Sequence, residues 1–281
     1  MKRVGLLAII VCVISYVLAN SVQAQSYYVP NPNDRWYQYE QHDPVIIAEG
    51  QRLQALSDKA DEYAKNGDWT NAEKLYNEVY TSKYPSTHVI EALAHHAYLI
   101  ADDDSAIKLY RQCIYDGTRK YNSYSRSTME LAIILSKRGN MDEAIRLYQA
   151  SYHSFGDTWG DSNSPVILPN YSSTNQPYSI NEFQATAHVL ASMSCMPDDP
   201  SGETHLKAAT VLDPTSPIGY FYLGKYYKEV GGHDADAVDA LHKAWENGDS
   251  DVEKHVFEIY KGYASPEFKK AFDARFSDIP H

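Results

Sequence analysis

Apolar side chains along most of this chain recur at intervals of three and four residues, the spacing of one face of an α-helix. Between residues 72 and 79, for example, the apolar positions are Ala72, Leu75, Tyr76 and Val79. Polar segments that contain Gly, Asn or Asp separate successive stretches of this kind. Since these residue types end one helix and cap the next, the pattern predicts an all-α fold built from short helices.

A five-residue motif repeats within this helical pattern. Residues 72–76, 106–110 and 144–148 all have the form Ala-x-Lys/Arg-Leu-Tyr. A second helical pattern lies upstream of each copy and has a small residue at a matched position. These small residues are Ala60, Ala94 and Ala132. One helical hairpin cannot bury its apolar stripe alone, so the repeat predicts a solenoid in which successive hairpins stack.

The three copies and their turns resemble the tetratricopeptide repeat (TPR) family over roughly residues 50–152. The resemblance implies a right-handed superhelical solenoid of TPR-like helix hairpins, with a concave face built from the first helix of each pair. Residues 243–249, with Lys-Ala and Asn-Gly-Asp, look closer to the Sel1-like branch of the same superfamily. The sequence departs from the family pattern in two ways. The first helices lack an aromatic residue near their start, and the repeat units lack a closing proline, which only Pro85 approximates.

The chain is predicted to divide into five segments. Their order is a signal peptide at 1–24, an exposed lead-in at 25–42, TPR-like repeats 1–3 at 43–152, an insertion loop at 153–179, and further TPR/Sel1-like helices with a C-terminal cap at 180–281. Asp43 and Pro44 are expected to cap and open the first helix. The insertion loop is indicated by four Gly or Pro residues among Ser, Thr and Asn.

The first residues predict export. Lys2 and Arg3 precede an apolar run, and small residues at Val22 and Ala24 suit signal peptidase cleavage after Ala24. The run is shorter than the ~20 residues of a spanning helix, so an uncleaved anchor is the weaker alternative. Cys12 is read as part of the signal and not as a lipid attachment site. The protein is therefore expected in the periplasm or outside the cell.

The net charge of the chain limits the kinds of partner that it can bind favourably. The chain has 37 Asp and Glu against 25 Lys and Arg, a formal net charge of −12. This charge repels a phosphate backbone, so nucleic acid and anionic membrane surfaces are poor partners. No later segment approaches membrane-spanning length. A protein or peptide partner is expected instead.

Two cysteines remain after signal cleavage, Cys113 and Cys195. Two are too few for a disulfide scaffold in a chain of this size, and both stand in apolar helical contexts, where a thiol acts as a small hydrophobe. A bridge between them stays open, since exported thiols do oxidise.

The candidate metal and catalytic residues do not form a recognisable site. His88, His95 and His96 lack the carboxylate or cysteine ligands that a zinc motif needs. Residues 102–104 are three Asp, but without a calcium-loop pattern, and Asp104 or Ser105 is expected to cap the following helix. No phosphate-binding Gly-rich loop and no triad spacing occurs. The sequence therefore predicts no metal, no cofactor and no enzyme activity.

By the resemblance, a partner binds first-helix positions that are not used for packing. The carboxylate clamp of some family members is absent, because Ser57 and Asp61 stand where that clamp has Lys and Asn. The sequence predicts an interaction scaffold for an extended peptide or a partner helix. The residues assigned to the concave face are His88, Glu91, His95, Tyr98, Arg126, Met129, Ile133, Lys137, Phe221 and Lys225. The alternative is that these side chains are exposed to solvent and bind no partner.

A second hypothesis belongs to a different functional class. In it, residues 153–178 form the lid of an enzyme or ligand-binding protein, because long loops on rigid scaffolds carry function. Its candidate residues are Asp157, Trp159 and Asp161.

Overall fold

A computed structural model describes residues 44–83, 85–114, 126–158, 168–169, 171–172, 174–195, 199–262 and 265–277. These residues form twelve α-helices, and none of them belongs to a strand. The chain divides into two compact units, residues 1–93 and residues 94–281. The predicted signal peptide and lead-in lie outside the described residues.

The helices follow one another along the whole described chain. Their bounds are α1 Pro44–Lys65, α2 Trp69–Tyr80, α3 Thr87–Leu99, α4 Asp103–Ile114, α5 Arg126–Lys137, α6 Met141–Thr158, α7 Ile180–Met193, α8 Pro200–Leu212, α9 Pro217–Val230, α10 Asp234–Asn247, α11 Ser250–Lys261 and α12 Pro266–Arg275. The first helix begins at Pro44, as its fixed φ favours.

In the first unit, α1 and α2 pack against each other as an antiparallel hairpin. The buried side of α1 is formed by Leu53 and Ala60, and that of α2 by Ala72, Tyr76 and Val79. These positions recur at helical spacing, so each helix buries the stripe that its sequence predicts.

In the second unit, neighbouring helices pack in the manner of stacked hairpins. Within pairs, α5 packs against α6, α7 against α8, and α9 against α10. Between pairs, the first helix of one hairpin packs against the first helix of the next, as α5 does with α7 and α7 with α9. The predicted all-α fold of repeated helix hairpins is confirmed.

The repeat motif supplies the core of these hairpins. The three motif alanines and the three motif tyrosines are at most 2% exposed, as are the matched alanines of the first helices. An alanine at the seam allows two helix backbones to approach closely, while each tyrosine fills the space between neighbouring helices. The residues concerned are Ala60, Ala72, Ala94, Ala106, Ala132, Ala144, Tyr76, Tyr110 and Tyr148.

Helix α5 is buried around its whole circumference from Ser127 to Ser136. It packs against α4, α6 and α7, so no side of these three turns faces water. A helix in this position is expected to be apolar all round. Glu130, a carboxylate near its middle, is fully buried and therefore needs compensating partners.

The turns inside the first three hairpins share one left-handed residue. Gly67 and Gly139 have φ of 76° and 80°, and Ala101 takes the matched place with φ 58°. The helix that follows Ala101 is capped by Asp102, whose carboxylate accepts a hydrogen bond from the Ser105 N–H at 3.2 Å. The prediction that Asp104 or Ser105 caps α4 is therefore wrong. Asp102 lies one turn before Ser105, where a side chain reaches the unpaired N–H groups of the first turn.

The Ala101→Gly substitution should raise the free energy of unfolding by about 1 kcal/mol, because glycine adopts a left-handed conformation without the Cβ clash that alanine suffers. Thermal melting of the variant measures this gain. Ala55, an exposed alanine in the middle of α1, is the matched control. There the same change should instead cost about 0.5–1 kcal/mol. A loss of stability in both variants would contradict the strain at residue 101.

The start of the predicted insertion loop needs correction, because α6 continues to Thr158. Residues 159–167, which include Trp159 and Asp161 of the lid hypothesis, lie outside the described residues. Further along, Leu168 and Tyr171 are buried in the core of the second unit. The ring of Tyr171 packs against Tyr148 with centroids 5.2 Å apart. This described part of the segment belongs to the helical core.

Small and aromatic residues pack tightly between the last helices of the chain. A Cβ at Gly224 of α9 would lie 2.7 Å from Leu241 Cγ of α10, so only glycine allows this approach. Phe268, Phe272 and Phe276 are completely buried at the C-terminal end.

No disulfide joins Cys113 and Cys195, the two cysteines among the described residues. Among the helices described, none has both the length and the apolar character required to span a bilayer.

Candidate functional site

The most unusual chemistry of the second unit surrounds the Glu130 carboxylate. Its hydrogen-bond donors come from three helices, which belong to the two hairpins on either side of the hairpin that carries Glu130. His95 Nδ1 of α3 lies 2.8 Å from Glu130 Oε1, and His205 Nε2 of α8 lies 2.9 Å from the same oxygen. The hydroxyl of Tyr110 in α4 donates to Oε2. We call these four residues, together with His188, the Glu130 cluster.

His188 of α7 extends the cluster away from the carboxylate. Its Nδ1 lies 2.8 Å from Nδ1 of His205. The other nitrogen of His205 faces the carboxylate and donates to Glu130. Between the two Nδ1 atoms, one ring donates and the other accepts.

The outer edge of the cluster is formed by Arg126, Asp199 and Ser201. Arg126 Nη1 lies 2.8 Å from Asp199 Oδ2, and its Nε lies 3.7 Å from Glu130 Oε1. Ser201, in the first turn of α8, places its hydroxyl 3.2 Å from His95 Nε2. Asp199 caps the same helix by accepting from the Ser201 N–H at 2.8 Å. This edge thus connects the start of α5 to the start of α8.

Electrostatics keep the central pair charged. Burial by itself would raise the pKa of the Glu130 carboxyl, but hydrogen bonds from His205 and His95 hold that pKa well below its usual range. Burial also opposes the charge of Arg126, yet the neighbouring Glu130 carboxylate keeps the pKa of this guanidinium above its ordinary value. The cluster therefore contains one buried anion, with one cation at its edge.

The surrounding groups are held neutral. Burial, followed by the negative charge of Glu130, raises the pKa of both Tyr98 and Tyr110. Burial likewise raises the pKa of the Cys195 thiol to about 12. Burial and the adjacent His205 lower the pKa of His188 to about 3. At neutral pH these four side chains carry no charge.

Tyr98 lies across the cluster. Its ring stacks on His95 with centroids 6.3 Å apart and lies 6.1 Å from the ring of His205. The Nζ of Lys137, at the exposed end of α5, lies 5.9 Å from the Tyr98 ring centroid. A cation at this distance is attracted to the ring face. We call Tyr98 and Lys137 the docking face.

Four of the residues that the sequence assigns to a concave face meet in this region. His95 and Tyr98 come from α3, and Arg126 and Lys137 from α5. Four of the assigned residues are not exposed, since Met129 and Ile133 are fully buried, and His95 and Phe221 are each 6% exposed. The expected exposure of these four side chains is wrong, because α5 and α9 each pack against helices on more than one side and His95 faces Glu130 of α5.

The remaining assigned residues lie elsewhere. In the first unit, Glu91 is half-buried and His88 is exposed. The ring of His88 pairs with Asp61, with Nε2 2.9 Å from Oδ1. In the second unit, Lys225 of α9 lies 4.0 Å from Glu229. Whether any of these three side chains contacts a partner stays a prediction.

The carboxylate at the centre was missed by sequence reasoning. Glu130 interrupts the otherwise apolar series from Met129 to Leu135, which is a visible signal for a buried charge that needs partners. His188 and His205 gave no such signal, because their partners are far away in the sequence.

The contacts of Ser201, His95 and Glu130 have the order of a nucleophile, a base and an orienting carboxylate. However, the N–H groups of Ser201 and Gly202 already donate to Asp199, and Glu130 Oε1 is shared with His205. These two N–H groups are therefore not available to stabilise an oxyanion. A structural role for the contact is favoured. Within the described residues, no group of three or more His, Cys, Asp or Glu side chains could hold a metal ion.

A match to a family model supports the helical repeat. Residues 127–152, which cover most of α5 and the first part of α6, match the family model described as a tetratricopeptide repeat. A solved structure of PilW, described as a widely conserved type IV pilus biogenesis factor, is similar over 82% of this chain and 94% of PilW. The identity is 15% and the TM-score 0.34, too low for any argument about this chain. The search of curated proteins gave no match.

Proposed function

We propose that this chain, which carries a tetratricopeptide repeat within its stacked helix pairs, is an exported scaffold that binds a protein or peptide partner on the docking face. The observation that carries the proposal is the pair formed by Lys137 and the Tyr98 ring, which in turn lies against His95 and His205 of the Glu130 cluster. Repeat arrays of this type offer extended surfaces for partners.

A fixed aromatic ring favours binding. Tyr98 is supported by His95 and His205, so little side-chain entropy remains to be lost when a partner covers it. Tyrosine is also enriched among the residues that dominate binding energy at protein interfaces.

The charges of the docking face favour an acidic segment in the partner. Lys137 is exposed, and its described neighbour is a neutral ring rather than a carboxylate. A partner carboxylate can therefore pair with Lys137 while an apolar side chain covers Tyr98. The net charge of −12 repels acidic partners at long range, so this pairing acts as a local, selective contact.

Site-specific photo-crosslinking tests this function. A photoreactive amino acid replaces Lys137 in the full chain, and cells expressing it are irradiated. The control carries the same group at Lys108, an exposed lysine of α4. The proposal expects one discrete protein or peptide adduct at position 137 and none at position 108. Equal patterns from both positions would contradict a specific docking face.

Export is part of the proposal and is measured in the same cells. The basic start and apolar run of residues 1–24 support it. The mass of the protein from the envelope or medium fraction should correspond to a chain that begins at Gln25. A full-length protein retained inside the cell would contradict this half of the proposal.

A further inference from the structure

The contact between His188 and His205 can hold only one hydrogen. The two Nδ1 atoms lie 2.8 Å apart, a distance at which one ring donates and the other accepts. If both nitrogens carried a proton, two N–H groups would point at each other and one ring would have to move. We propose that this contact is an acid-sensitive latch that regulates the docking face, an inference that rests on the proposed function.

Counting protons shows what acid does to the pair. Two separated histidines take up two protons when they are acidified. The folded pair can take up one, because a single cation shared between the rings still leaves one acceptor in the contact. The second proton breaks the contact. The folded state therefore binds one proton fewer than the unfolded chain at acid pH.

The charged groups around the pair do not offset a second cation. Glu130 of α5 is the carboxylate that His205 contacts, and it also faces His95 of α3 and Arg126. Asp199, before α8, pairs with Arg126. Lys137 adds a positive charge that disfavours protonation of His188, while Tyr98 and Tyr110 stay neutral. The two carboxylates and the two basic groups named here cancel, so each proton that the histidine pair takes up adds a positive charge without a counterion.

The direction of the His188 pKa agrees with this count. Burial and the neighbouring His205 lower that pKa from 6.5 to about 3. A group whose pKa is depressed on folding stays uncharged in the folded state while it charges in the unfolded state. For a histidine, the stability of the folded state is then lost progressively as pH falls from 6.5 toward 3.

The latch is connected to the docking face through Tyr98. The ring of His205 lies against Tyr98, and Tyr98 lies beneath Lys137. When acid breaks the His188–His205 contact, His205 keeps its hydrogen bond to Glu130 but loses the second partner that fixes its ring. Tyr98 then loses part of its support, so the docking face is ordered near neutral pH and loosened in acid.

Chemical unfolding of the full chain at several pH values tests the latch. The His188→Asn variant keeps an N–H donor at the position of Nδ1 but has no proton to gain. As the pH falls from 6.5 to 4.5, the equilibrium constant for unfolding should rise in the wild type. For each pH unit, this rise should be about tenfold larger in the wild type than in the variant. His233→Asn, at a half-exposed ring, is the control and should follow the wild type. If His188→Asn does not fold, His205→Gln, which keeps the donor to Glu130, replaces it.

The cross-linking yield at position 137 is measured at pH 7.5 and pH 5 in the same proteins. The latch predicts a lower yield at pH 5 in the wild type and a smaller change in His188→Asn. Equal pH slopes for wild type and variant would overturn the latch, whatever cross-linking gives. A slope difference with equal yields at both pH values would overturn its control of the docking face. Unequal slopes without any adduct at pH 7.5 would instead overturn the proposed function.

Discussion

The Glu130→Ala variant is expected to lose about 3–5 kcal/mol of unfolding free energy in the second unit. The carboxylate accepts from His95, Tyr110 and His205, and it balances the charge of Arg126. Without it, three buried donors lose their acceptor, and the partly exposed guanidinium of Arg126 keeps only the ion pair with Asp199. Buried groups of this kind cost far more when one partner is removed than the intact pair contributes.

Urea unfolding followed by circular dichroism measures this loss. Glu130→Gln keeps nearly the same volume, so it separates the charge from the cavity and should retain most of the destabilisation. Glu246→Gln, at an exposed carboxylate beside Lys243, is the control and should change stability by less than about 0.5 kcal/mol. If Glu130→Ala unfolded at the same urea concentration as the wild type, the carboxylate would not be the centre of the cluster.

The Ala132→Leu variant should lose about 1–3 kcal/mol, because extra methylene groups enter a seam that is already full. Ala132 is completely buried in α5, among helices that surround this part of the chain on every side. Its neighbour on the same helix, Lys137, is exposed, and Lys137→Ala should change stability by less than about 0.5 kcal/mol.

Thermal melting of the two variants compares a substitution between packed helices with a substitution on the surface. We expect a clearly lowered melting temperature for Ala132→Leu and an almost unchanged one for Lys137→Ala. Equal melting temperatures for Ala132→Leu and the wild type would contradict the close approach of helices at the repeat alanines.

Much of the fold could be predicted because it is encoded in local spacing. The motif at residues 72–76 returns in α4 and α6, and each copy places an alanine and a tyrosine in the core. The turn at Ala101 was also visible, although its capping residue was misplaced, because several Asp stand together and only geometry selects Asp102.

The cluster could be predicted only in part, because it depends on contacts between distant residues. His95 was named for its place on a first helix, but its partner Glu130 lies in the next hairpin and His205 in the one after it. The spacing of residues predicts which face of its own helix a side chain lies on. It does not predict which residue of another helix that side chain contacts. For the same reason Met129 and Ile133 were assigned to a surface, whereas neighbouring helices bury both side chains.

The central claim is that a partner binds over Tyr98 and Lys137, and a binding titration tests it most directly. The partner captured at position 137 is titrated against the wild-type chain, Lys137→Glu and the control Lys108→Glu. A carboxylate at position 137 repels the acidic segment that the docking face is proposed to bind. We predict a dissociation constant at least about tenfold higher for Lys137→Glu, equivalent to about 1.4 kcal/mol, and an unchanged value for Lys108→Glu. Equal dissociation constants for all three proteins would contradict the docking face.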